Sequence, residues 1–195
     1  MSYDVILAGV GGQGVLSVAS IIASAALSEG LNVRQSEVHG MAQRGGAVLS
    51  HLRVSGAEIA CDLVPKGGAD LIISMEPLES LRYVSYLKPS GVLVTNTDPY
   101  ENIENYPDID KIISGIKSLP AYRLVRASLI AKEAGFSKAV NTVMVGAASC
   151  FLPIKEASLE KTISAVFARK GAEAAQANKK AFKLGQAAAR DVGKK

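Results

Sequence analysis

Two short segments gather the residue types that chemistry needs. Gly9-Val10-Gly11-Gly12-Gln13-Gly14 places glycines at 9, 11 and 14 in the G-x-G-x-x-G spacing. That spacing lets a backbone turn sharply and approach a phosphate at a helix N-terminus. Gly12 and Gln13 add a glycine and an amide that a dinucleotide loop does not require. Phosphate or pyrophosphate binding is one reading; glycines serving only close helix–strand packing is the other. The second segment, Ser36-Glu37-Val38-His39-Gly40-Met41-Ala42-Gln43-Arg44-Gly45-Gly46, sets a carboxylate, an imidazole, an amide and a guanidinium among three glycines. Such a segment cannot bury a core of its own, and ligand or partner contact is its expected role. Arg44 could pair bidentately with a phosphate or carboxylate. His39 could move a proton or simply hydrogen-bond, and no further ligand follows it at metal-binding spacing, so no metal site is expected.

The elements that must position these segments follow from apolar periodicity. Tyr3–Ala8 reads as a buried strand and Gly12–Glu29 as a helix, with Val15, Val18, Ile22 and Ala25 at helical spacing. Strands are expected at Asn32–Glu37, Ala47–Val54, Leu71–Met75, Gly91–Asn96 and Tyr122–Val125, with a hairpin partner at Glu58–Cys61. Val38–Gly46 and Thr97–Pro107 read as loops. Helices are expected from Pro77 through Leu87, over Ala127–Ala134, Asn141–Phe151 and Ser158–Phe167, and in the Ala- and Lys-rich C-terminus. Ser158 is the expected N-cap of its helix. Alternating strands and helices predict an α/β fold: one Rossmann-like three-layer domain over residues 1–195, with a mainly parallel sheet and a helical C-terminal extension from about residue 139. Open sheets of this kind bind ligands at the carboxyl ends of their strands, which is where both glycine segments fall. A dinucleotide would also want a carboxylate roughly 20 residues past the glycines. Glu37 is the only candidate at that strand end, and it comes late.

Composition limits the function classes. The 195 residues are 48% hydrophobic but only 5% aromatic, so the core must be built from Val, Ile, Leu and Ala. No apolar stretch is long enough for a membrane span, and Met1 runs into a strand without a secretory signal, so a cytoplasmic protein is expected. Cys61 and Cys150 read as buried reduced thiols, and two thiols cannot supply the four an iron–sulfur cluster usually needs. The net charge of +4 comes from the C-terminus, where residues 169–195 carry eight basic side chains against two acidic ones. A solvated helix face is the plain reading and docking to an acidic partner the alternative. No aromatics interleave with these lysines, which argues against nucleic acid.

Taken in order, the two glycine segments resemble the gamma-type domain of the 2-oxoacid:ferredoxin oxidoreductases, and the wording of 36–46 is that of the indolepyruvate branch. Ala69-Asp70-Leu71, Glu76-Pro77, Asn96-Thr97, Asn141 and Gly146 extend the likeness over almost the whole chain. The resemblance implies a small subunit without a cofactor of its own. A larger alpha subunit would carry thiamine diphosphate, magnesium and iron–sulfur clusters, coenzyme A would be a substrate, and ferredoxin would accept the electrons from aryl pyruvates. It further implies that Gly9, Gly11, Gly12, Gln13 and Gly14, with Asn96 and Thr97, line a cofactor-binding site. Glu37, His39, Gly40, Gln43, Arg44, Gly45, Gly46 and Asn141 would lie at the subunit interface or the coenzyme A channel. Bland roles compete: a strand-end cap for Asn96 and Thr97, a helix N-cap for Asn141. Alternatives are the gamma subunit of a pyruvate, 2-oxoisovalerate or 2-oxoglutarate enzyme, and a stand-alone NAD(P)-binding protein.

Overall fold

The computed structural model describes residues 2–39 and 45–190. Six strands form one sheet: β1 (Ser2–Val10), β2 (Asn32–His39), β3 (Ala47–Ser55), β4 (Ala69–Ser74), β5 (Leu87–Asn96) and β6 (Tyr122–Val125), in the order β2-β3-β1-β4-β5-β6. β1, β4, β5 and β6 run parallel, and β3 pairs antiparallel with both β1 and β2. β3 is therefore the one reversed strand in a mainly parallel sheet. Seven α-helices surround it: α1 (Val15–Ser28), α2 (Pro77–Arg82), α3 (Ile109–Lys117), α4 (Ala127–Glu133), α5 (Val140–Ser149), α6 (Glu156–Ala168) and α7 (Ala172–Arg190).

The apolar runs of the central strands are buried on both faces, as covered parallel strands require. Val5, Leu7, Leu71 and Ile73 face a core built with α1 and α4–α7, whereas Ile6 and Ile72 face α2 and α3. The result is a three-layer α/β fold. The C-terminal helices pack closely into it. Gly146 on α5 and Gly185 on α7 let these helices touch: a Cβ on Gly146 would lie 2.1 Å from the Phe182 carbonyl oxygen, and one on Gly185 2.1 Å from that of Val143. The Thr142 hydroxyl donates to Asn178 Oδ1 at 2.6 Å within this contact.

Several sequence expectations are corrected. Glu58–Cys61 forms no strand, because β1 and β2 already occupy both edges of β3. Residues 56–64 instead lie over the sheet, held by Arg53 to the Cys61 carbonyl at 3.0 Å and by the Val64 N–H donating to His51 Nδ1 at 3.1 Å. Burial holds the His51 pKa below its usual value. The helix from Pro77 ends at Arg82 rather than Leu87, since Leu87 already pairs with Ala69 at the start of β5. α3 was not anticipated, although Asp108 caps it by accepting from the Asp110 N–H at 2.8 Å and Ile112 and Ile116 bury its apolar stripe. α6 begins at Glu156, so Ser158 lies inside its first turn and is not its cap. Cys150 is half-buried and Cys61 exposed, both as free thiols.

Candidate functional site

The site forms where β1 gives way to α1, at the point where the chain's connections part to either side of the sheet. β1 ends at Val10, and Gln13 closes the turn on itself: its N–H donates to the Val10 carbonyl at 3.0 Å and its Oε1 accepts the Val10 N–H at 2.8 Å. The glycines have different duties. Gly9 serves packing, for a Cβ there would come within 2.8 Å of Val15 and 3.0 Å of Met75. Gly12 and Gly14 adopt positive φ of 99° and 79°, a region costly for any residue with a side chain. Gly14 caps α1 in that conformation, with no side chain bonded to the first turn. The Gly11 N–H donates to Gly46 O at 2.8 Å, and the Gly45 N–H donates to Gly11 O at 3.3 Å. Gly45 and Gly46 of the second segment thus join the first in one backbone surface at the carboxyl edge.

That bonding sorts the backbone amides. Those of Gly11 and Gln13 are engaged within the chain. No described residue accepts from the N–H groups of Gly12 and Gly14. They stand at the N-terminus of α1, where Gly14 is the cap and brings no side chain to the first turn, a geometry that favours an anion. Gly12 is exposed, and a side chain there would meet open space.

Asn141 is not the N-cap of α5. It sits in the first turn and sends Nδ2 to the Gly14 carbonyl at 3.3 Å, tying α5 to the glycine loop. Glu37 is exposed on β2, opposite Ser50. Gly40, Gln43 and Arg44 lie outside the described residues, as does the side chain of His39. Asn96 is 3% exposed, and its amide is consumed by backbone: Nδ2 donates to Met75 O at 3.2 Å while Oδ1 accepts from Asp98 at 3.3 Å and Ala127 at 3.2 Å. Thr97 bonds the Val125 carbonyl through its N–H at 3.0 Å and its hydroxyl at 3.4 Å. For both, the strand-end role is the one the bonds describe.

A cleft of about 270 Å3 opens beside the first loop, walled by Gln13, Asn96, Asp98, Tyr100, Ser128 and Asn141. Tyr100 was not singled out in the sequence, nor was Asp98, whose carboxylate accepts the Ser128 N–H at 3.1 Å. Glu76 was noted only as part of the likeness, yet it is 1% exposed and accepts three hydrogen bonds. A carboxylate directly following an apolar strand was the available signal. One of its donors is the Tyr106 hydroxyl, whose pKa is raised, first by burial and then by that bond. Among the described residues no group of three His, Cys, Asp or Glu side chains could hold a metal ion, and no helix is long and apolar enough to cross a membrane.

Residues 4–188 match the pyruvate ferredoxin/flavodoxin oxidoreductase family. An indolepyruvate oxidoreductase subunit from Archaeoglobus fulgidus is 41% identical over 153 residues, covering 75% of both chains. One from Thermococcus kodakarensis is 35% identical over 200 residues, covering 97% of both. Among solved structures, a 2-oxoglutarate:ferredoxin oxidoreductase from Magnetococcus marinus, with 2-oxoglutarate, coenzyme A and succinyl-CoA bound, superposes with a TM-score of 0.77 at 25% identity. It covers all of this chain, which spans 32% of that longer one. The gamma subunit of a keto/oxoacid ferredoxin oxidoreductase from Geobacter sulfurreducens gives 0.70 at 25% identity, covering 96% of this chain and 98% of that one.

Proposed function

Because this chain belongs to the pyruvate ferredoxin/flavodoxin oxidoreductase family, we infer that it is the small subunit of an indolepyruvate:ferredoxin oxidoreductase. The whole chain acts as one gamma-type domain of a cytoplasmic complex. Its partner is a larger subunit carrying thiamine diphosphate, magnesium and iron–sulfur clusters. Those groups supply the decarboxylation of aryl pyruvates and the passage of electrons to ferredoxin. With two cysteines in the chain, four-thiolate ligation must come from elsewhere.

This chain contributes a surface for the acyl acceptor, coenzyme A. One observation carries that reading: Gly45 and Gly46 are hydrogen-bonded to Gly11, and no described residue engages the Gly12 and Gly14 amides at the start of α1. Two N–H groups and the positive end of a helix suit a phosphate of the coenzyme. The coenzyme A held by the Magnetococcus enzyme, which this chain resembles over its full length, supports the assignment. Gamma subunits of pyruvate, 2-oxoisovalerate and 2-oxoglutarate enzymes are secondary readings; the higher identity to indolepyruvate oxidoreductase subunits favours the first.

The stand-alone NAD(P) reading meets a geometric obstacle. β3 lies between β1 and β2, so Glu37 at the end of β2 is displaced from the glycine loop by two strand spacings, roughly 10 Å. A ribose-binding carboxylate sits on the neighbouring strand in dinucleotide folds.

The test varies coenzyme A in the assembled complex. Gly12→Asp sets a carboxylate against the incoming phosphate and is expected to raise the Michaelis constant for coenzyme A by about tenfold or more, the equivalent of about 1.4 kcal/mol. Arg44→Ala is expected to raise it similarly. An unchanged constant with normal assembly in both variants would remove the coenzyme from this surface.

A further inference from the structure

Residues 97–107 join β5 to α3, but they cross the carboxyl edge of the sheet instead of leaving it. Three anchors hold them there. At the start, Asn96 Oδ1 accepts the Asp98 N–H and Asp98 caps the first turn of α4 through Ser128. Midway, Asn102 Nδ2 donates to the Gly45 carbonyl at 2.5 Å. On either side of Asn102, Glu76 Oε1 accepts from the Tyr100 N–H at 3.3 Å and from the Tyr106 hydroxyl, while Oε2 accepts from the Glu79 N–H at 2.8 Å.

The consequence is a continuous path. Glu76 at the end of β4 holds the segment, Asn102 on the segment holds Gly45, and Gly45 holds Gly11 of the first glycine loop. A carboxylate buried as deeply as Glu76 is stable only when its oxygens are satisfied. Two of its three donors come from this one segment. The segment has no helix or strand of its own to fix it, and it presents Tyr100, nearly half exposed, to the cleft.

We propose that Pro99–Tyr106 is a strap that positions the first glycine loop, through Gly45, for the acyl acceptor, with Glu76 and Asn102 as its positioning residues. The proposal rests on the assignment of coenzyme A to the glycine loops and extends it to a third segment. Its physical content is that the placement of the Gly12 and Gly14 amides depends on the Gly11–Gly45 link. That link is braced from outside the two loops by Asn102. A misplacement of about 1 Å is enough to weaken a binding geometry severely.

The experiment uses the assembled complex, with coenzyme A varied at saturating 2-oxoacid. Asn102→Ala and Tyr106→Phe each remove one hydrogen bond and are expected to raise the Michaelis constant for coenzyme A about tenfold, with kcat lowered less than about twofold and assembly retained. Glu76→Ala is expected to do more, and Glu76→Gln to recover much of the loss, since its amide oxygen still accepts from the segment. If Asn102→Ala and Tyr106→Phe leave the constant unchanged while Gly12→Asp raises it, the strap proposal is overturned and the coenzyme site stands. If Gly12→Asp also has no effect, the coenzyme site itself fails and the strap fails with it. A parallel fall in kcat and melting temperature with an unchanged constant marks a structural loop and likewise overturns the proposal.

Discussion

At Gly14 two constraints coincide. Its φ of 79° disfavours any side chain, and a Cβ would lie 2.1 Å from Asn141 Nδ2. The G-x-G-x-x-G spacing announced the first constraint and could not announce the second, because Asn141 lies 127 residues away. Gly14→Ala is expected to cost about 3 kcal/mol of unfolding free energy, part backbone strain and part overpacking. Adding Asn141→Ala should return about 1 to 2 kcal/mol, a coupling that a double-mutant cycle in urea measures. Asn96 teaches a different lesson. A strand-end asparagine can hold a ligand or the backbone, and this one makes three bonds to backbone. Tyr3, at the opposite edge of the sheet, donates to the Phe151 carbonyl at 2.5 Å, and burial followed by the Asp70 charge pushes its pKa from 10.0 up to about 12. Folding therefore favours the protonated phenol. Its contribution is full below pH 10, and it is lost as pH rises through about 12. Urea midpoints measured across that window should fall with pH, and Tyr3→Phe should flatten part of the decline.

Among the elements, those with a strong period were legible: β1, α1, β4 and α4 appear close to where their apolar spacing puts them. The failures have physical causes. Glu58–Cys61 looked like a hairpin partner because Ser55-Gly56 is a good turn, but a local turn signal says nothing about whether the preceding strand has an open edge. β3 has none. α3 was hidden behind a run of breakers, although Asp108 followed by Ile109, Ile112, Ile113 and Ile116 carries both a cap and a stripe. The closeness of α5 and α7 was equally invisible, since nothing in the local sequence pairs Gly146 with Gly185. Their carbonyl contacts explain them. Gly146→Ala should gain helix propensity yet lose about 2 to 3 kcal/mol overall by forcing the Phe182 backbone of α7 away from α5. Thermal unfolding measures this, and a stabilised variant would mean that the two helices are free to separate.

For the whole molecule, the order of the two glycine segments carried the family, while their joining by Gly11, Gly45 and Gly46 had to await the fold. The reversed β3 strand makes that joining possible. It sets its own start, Ala47, opposite Val10 at the end of β1, so that residues more than 30 positions apart share one edge. The same reversal moves Glu37 away from the position a dinucleotide would need. The surface that results is made of backbone amides and a strap, with no metal-binding cluster among the described residues. The most direct measurement compares the purified chain, the purified larger subunit and the reconstituted pair in an assay of coenzyme A-dependent ferredoxin reduction by indolepyruvate. The account predicts full activity only in the pair and none in this chain alone. Oxidation of a substrate by the isolated chain, or an iron–sulfur absorbance that it carries by itself, would contradict it.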